Sequence, residues 1–170
     1  MIIELANIGP RPKAIDLVVS TNDIDLDVDG TELKADVKFA GKTIREDGKA
    51  HVRGTITTDL TIDCTRCLEP VAETIDISFD DIFVDPADAP NDTEIAVAAE
   101  ELDEAIAEDG KVDLINVIRE QILLALPEQR FCREDCKGLC PKCGGNRNLI
   151  DCKCEENEID PRWAALKNFR

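Results

Sequence analysis

The sequence predicts an α+β fold: a curved antiparallel β-sheet or partial barrel covered by one main helix, with a C-terminal Cys-rich metal-binding module. Three observations carry this. Apolar residues alternate with polar ones from Glu32 to Phe83, interrupted at turn signals. Between Leu114 and Leu126 the apolar residues instead recur every three or four positions. Six of the eight cysteines fall between Cys132 and Cys154, a stretch with few large apolar residues. The chain has 170 residues, 43% apolar but only 4% aromatic and without tyrosine, so any single core is mostly aliphatic.

The elements follow in order. Met1 to Gly30 is the least patterned part, with "IDLVVS" and "IDLDVDG" reading as short strands or edge segments. Leu33, Ala35, Val37 and Phe39 then line one face of a strand, and Gly41 marks a bulge or bend in it. "EDG" at Glu46 to Gly48 is a turn signal. Val52, Gly54, Ile56, Thr58, Leu60, Ile62 and Cys64 share one face of a long strand. "CTRCLEP" reverses the chain, and Val71, Ile75, Ile77, Phe79 and Phe83 share a face of the next strand. Three hairpin-linked antiparallel strands, each with one buried face, are the expectation. Asp113 is the expected N-cap of the helix. Leu114, Val117, Ile118, Ile122 and Leu126 form its stripe, and Pro127 ends it. In "DPRWAALKNFR", Asp160 and Pro161 open a short final helix whose Trp163, Leu166 and Phe169 make a docking stripe. The expected division is residues 1–126, with an acidic connector at 80–109, and residues 127–170.

The cysteine spacing is Cys132-x3-Cys136-x3-Cys140-x2-Cys143-x8-Cys152-x1-Cys154. No leader and no membrane-spanning run are read from the sequence, so a cytoplasmic chain with reduced thiols is expected; clustered cysteines then point to a metal rather than disulfides. In "CPKCG" two thiolates two residues apart hold one ion from a tight turn, and Gly144 permits the positive φ that aims backbone N–H groups at sulfur. Four of the six would bind structural zinc, with Cys152 and Cys154 the nearest downstream partners and Cys132 and Cys136 the nearest upstream. Apparent zinc-binding free energies of about 10–16 kcal/mol would order a segment this poor in core residues. Cys64 and Cys67 are a candidate second site, sharing a metal with the leftover tail thiols; a metal-free buried pair and a redox dithiol are the other readings. Cys136, Cys140 and Cys143 also match the C-x3-C-x2-C spacing of radical S-adenosylmethionine enzymes. Those enzymes are large β/α barrels with the motif early in the chain, and this chain is neither.

The net charge is −17, which argues against simple phosphate neutralisation. Twelve Asp or Glu and no Lys or Arg lie between Asp80 and Asp109, a solvated connector or a surface for a basic partner. A high-salt environment is a further explanation. The tail is locally richer in cations. Arg130, Arg133, Lys137, Lys142 and Arg147, with Arg66 on the hairpin tip, are the candidate RNA or partner contacts. No phosphate loop, no nucleophile elbow and no catalytic pair stands out, and His51 reads as incidental, so no enzyme activity is expected.

The ordered set "CTRCLEPV", "KVDLINVIREQILLALP", "CREDCKGLCPKCGGNRN", "CKC" and "DPRWAALKNF" resembles the YceD-like family, over roughly residues 61–169. These are bacterial and plastid proteins linked to accumulation of 23S ribosomal RNA. The resemblance implies a non-enzymatic role in large-subunit assembly, with large-subunit RNA or ribosomal proteins as partners and no small-molecule substrate. Alternatives are a zinc-stabilised adaptor for a basic protein, and a cysteine-based redox or iron–sulfur protein.

Overall fold

A computed structural model describes residues 1–86 and 104–154. Most of the acidic connector (87–103) and the expected terminal helix, with Asp160, Trp163, Leu166 and Phe169, lie outside the described residues. Residue contacts divide the chain into two compact units. The first joins Met1–Ile62 to Ala72–Glu128, and the second joins Asp63–Val71 to the chain from Gln129 onward.

The first unit is mostly sheet with one helix. Its strands are β1 (Ile2–Glu4), β2 (Lys13–Val19), β3 (Thr31–Leu33), β4 (Val37–Glu46), β5 (Lys49–Asp63), β6 (Pro70–Val84), β7 (Glu104–Ile106) and β8 (Lys111–Asp113), and the helix is α1 (Leu114–Ala125). The main sheet runs β2-β4-β5-β6-β7, with β3 paired to the far end of β5, while β1 and β8 pair separately. β2 and β7 are its two ends, so the sheet is not closed into a barrel. β7 lies parallel to β6, a departure from the wholly antiparallel expectation.

The core follows the predicted faces. Val37, Phe39, Val52, Ile56, Leu60 and Ile75 meet Leu114, Ile118 and Ile122 of α1 in one buried cluster. Asp113 caps the helix, its carboxylate accepting from the Ile115 N–H at 3.1 Å. Three expectations need correction. β4 and β5 pair without interruption from Lys38↔Thr57 to Glu46↔Lys49, so Gly41 makes no bulge. Gly41 faces Gly54 because the Phe39 ring covers both; a Cβ on either would lie 2.4 or 2.3 Å from that ring. "IDLDVDG" forms no strand. Ile24 and Leu26 are buried anchors of a loop, and the Arg119 guanidinium donates to the Asp25 and Leu26 carbonyls. The run from Glu32 to Phe39 is broken in two, because the Lys34 and Ala35 N–H groups both turn to the Asp59 carbonyl.

Candidate metal centres

All eight cysteines belong to the second unit, and all eight are free thiols. They form two sets of four. Cys64 and Cys67, on the tip between β5 and β6, meet Cys132 and Cys136 of the tail; this is the tip–tail set. Cys140, Cys143, Cys152 and Cys154 form the tail set. Within each set the sulfurs lie within 4.8 Å of one another. The trio Cys136, Cys140 and Cys143 is therefore split between two sets rather than gathered around one cluster.

Local backbone geometry explains how the thiols converge. "CTRCLE" and "CPKCGG" adopt the same turn. The Leu68 N–H donates to the Cys64 carbonyl at 2.9 Å, and the Gly144 N–H to the Cys140 carbonyl at 2.8 Å. The Cys64 N–H then reaches the Glu69 carbonyl at 2.8 Å, and the Cys140 N–H the Gly145 carbonyl at 2.9 Å. The residue after the second cysteine is left-handed in both, Gly144 at φ +69° and Leu68 at +60°. In both turns the N–H groups two and three residues on face the first sulfur, those of Arg66 and Cys67 on Cys64, and those of Lys142 and Cys143 on Cys140.

The spacings suit a mononuclear tetrathiolate. Zinc–sulfur bonds of about 2.3 Å in a tetrahedron place sulfurs about 3.8 Å apart. Cys64 Sγ lies 3.8 Å from Cys136 Sγ, and Cys67 Sγ lies 3.6 Å from Cys132 Sγ. A disulfide needs about 2.05 Å.

Proton affinities within each set diverge. Burial raises the Cys64 thiol, but three backbone N–H donors outweigh it and bring it down to about 6. Backbone N–H groups of Cys143 and Lys142 bring Cys140 to about 6 as well. Burial and the neighbouring sulfurs push Cys132 up to about 12, and the sulfurs of Cys143 and Cys140 do the same to Cys154. One thiolate in a set thus opposes ionisation of the next, and four thiolates coexist only around a cation.

The two sets differ in their surroundings. Cys64, Cys67 and Cys136 are buried beside Val71, Phe131 and Leu139, with Cys132 exposed. In the tail set only Cys140 is buried. The Asn148 side chain donates to Cys136 Sγ at 3.3 Å and accepts from the Lys137 N–H at 2.8 Å. Asn146 donates to Glu69 at 3.2 Å. Sequence reasoning did not single out these asparagines. The signal was the repeated Asn in "GGNRN", directly after a metal turn.

The predicted cations are placed as follows. The Arg66 guanidinium lies 4.1 Å from the Phe131 ring centre and donates to the Cys136 and Glu134 carbonyls at 3.1 and 3.3 Å. Arg66 is exposed all the same. The Arg130 backbone pairs with Thr65, its carbonyl accepting from the Thr65 N–H and its own N–H donating to Thr65 Oγ1. Arg133 pairs with Asp135 at 3.4 Å. Lys137 and Lys142 are exposed, and Arg147 is half-buried with its N–H on the Gly138 carbonyl.

The sequence has relatives among known proteins. Residues 52–170 match the family model described as large ribosomal RNA subunit accumulation protein YceD, a span that contains all eight cysteines. The chain belongs to the YceD family. Among relatives of this YceD-family chain, a Mycobacterium tuberculosis protein is 31% identical across 98% of the chain and 79% of its own length. YlbN of Bacillus subtilis is 30% identical across 82% and 80%. The chloroplastic large ribosomal RNA subunit accumulation protein YCED homolog 1 of Arabidopsis thaliana is 28% identical across 94% of the chain and 55% of its own length. No solved structure matches the chain. Among the described residues, no helix is long and apolar enough to cross a membrane.

Proposed function

We propose that this chain is a non-enzymatic factor supporting accumulation of 23S ribosomal RNA during large-subunit assembly, acting in the cytoplasm. The family match over residues 52–170 carries this reading. Two structural zinc ions, one per cysteine set, shape its second unit. Zinc is the ion of choice because each set is closed, all-sulfur and suited to one tetrahedral centre, with no position left for a substrate.

Charge favours a protein-mediated route to the RNA. Across Asp63–Val71 and Gln129–Cys154, seven Lys or Arg accompany five Asp or Glu. Two tetrathiolate zincs carry about −2 each and reverse that small excess. A single zinc would have left the module neutral; two make it acidic, like the rest of the chain. Basic ribosomal proteins are therefore the expected partners, drawn by the acidic surface rather than by the module's exposed cations. Co-purification with large-subunit precursors tests this. The association should survive nuclease and disappear on deletion of Cys132 to Cys154. Loss with nuclease would instead mark a direct RNA binder, and persistence without the tail would remove the tail from the interaction. Metal analysis should give two zinc equivalents and a colourless protein.

A further inference from the structure

The two cysteine sets are unequal and are joined by one loop. The tip–tail set draws on residues 65 or more positions apart, in the pairs Cys67 with Cys132 and Cys64 with Cys136. Three of its sulfurs are buried under Phe131, Leu139 and Val71. The tail set is local, and Cys143 is exposed while Cys152 and Cys154 are half-buried. Chelators and alkylating agents need access to a sulfur to displace it. Each set has one exposed cysteine, Cys132 and Cys143, but the tail set adds two half-buried ones where the tip–tail set adds three buried ones. The tail set is therefore the more open to attack.

The stretch between Cys143 and Cys152, both of the tail set, carries Asn146 and Asn148. Asn148 donates to Cys136 Sγ, a member of the other set. Asn146 reaches Glu69 on the turn that holds Cys64 and Cys67. The same stretch is tied back by the Arg147 N–H on the Gly138 carbonyl. A thiolate that accepts an N–H donor is a weaker base and holds its charge more easily.

We propose that the tail centre is an exchangeable metal site whose occupancy controls the tip–tail centre through Asn148. The tip–tail centre is the retained ion. The tail centre gives up its metal first, its 144–151 loop is then released, and Cys136 loses its donor. Asn148 is a positioning residue here, acting on the metal only through Cys136. The inference rests on the zinc reading above.

The test follows zinc release from the full-length protein into excess chromogenic chelator, with timed N-ethylmaleimide labelling of each cysteine. The expected result is two phases of one equivalent each, the first at least tenfold faster. Cys140, Cys143, Cys152 and Cys154 should label before Cys64, Cys67, Cys132 and Cys136. Asn148→Asp keeps the acceptor for Lys137 but removes the donor to Cys136. In the fully zinc-loaded protein it should speed N-ethylmaleimide labelling of Cys136 about tenfold, and it should leave both release phases within about twofold, because the second phase begins after the loop has already let Cys136 go. In the cobalt-loaded protein, the same substitution should move a thiolate-to-cobalt absorption band to longer wavelength. Release in a single phase, or earlier labelling of the tip–tail set, overturns the hierarchy. Unchanged Cys136 labelling in the fully loaded protein and an unchanged cobalt band overturn the role of Asn148. A protein carrying no metal overturns the zinc reading and this inference together, whereas two equivalents leaving together overturn this inference alone.

Discussion

Gly138 and Gly144 offer a controlled comparison of the two centres. Both are left-handed, at φ +71° and +69°. An alanine at either costs about 1 kcal/mol for adopting that conformation. Their surroundings differ. A Cβ at Gly144 meets nothing within 4 Å, whereas one at Gly138 would lie 2.9 Å from the Arg66 carbonyl oxygen. That carbonyl accepts from the Leu139 N–H at 2.8 Å, so it cannot retreat without loosening the bond, worth about 1 kcal/mol. Gly144→Ala should therefore weaken zinc at the tail centre about fivefold, and Gly138→Ala should weaken it at the tip–tail centre about 30-fold. Competition titrations of each variant against a chelator of known affinity read both numbers. Equal losses in the two variants, or a larger loss in Gly144→Ala, would refute the packing argument.

Other substitutions test the same reasoning elsewhere. Leu68→Gly should stabilise the zinc-loaded protein by about 0.5–1 kcal/mol, because an exposed leucine there is held at positive φ; urea unfolding checks this. Ile118→Ala removes a fully buried side chain between helix and sheet and should cost about 2–5 kcal/mol in the same assay. Burial raises the Asp80 carboxyl, but hydrogen bonds from His51 and Arg53 outweigh it and hold it below its usual 3.8. Its stabilising effect is thus present above that value and fades as pH falls through the lower folded value. Arg53→Met should flatten the acid limb of a stability–pH profile, and an unchanged limb would count against the pair.

Much of the fold was legible because burial imposes periodicity. The faces of β5 and α1 could be read residue by residue, since Val52, Ile56, Leu60, Leu114, Ile118 and Ile122 each occupy their predicted sides. Features set by single hydrogen bonds were not legible. Nothing in "LKAD" announces that the Asp59 carbonyl will divide a strand. The alternation of "IDLDVDG" is equally well satisfied by a loop with two anchors, turning at Asp27 with φ +52°. β7 is three residues long and parallel to its neighbour, too short to leave a pattern. The thiol turns were visible as C-x2-C pairs, but which tail cysteines join Cys64 depends on chain paths that spacing alone does not fix. Leu68 also concealed that its turn repeats the one at Gly144.

The separation between Cys67 and Cys132 has a consequence for synthesis. Sixty-five positions divide them. At about 5–20 residues per second, translation leaves the first two sulfurs without half of their set for several seconds. During that interval the hairpin tip is a bare dithiol on a growing polypeptide, exposed to oxidants and to misplaced ions. Cells translating this protein slowly, or under oxidative stress, should accumulate chains damaged at Cys64 and Cys67 before the tail has emerged to shield them.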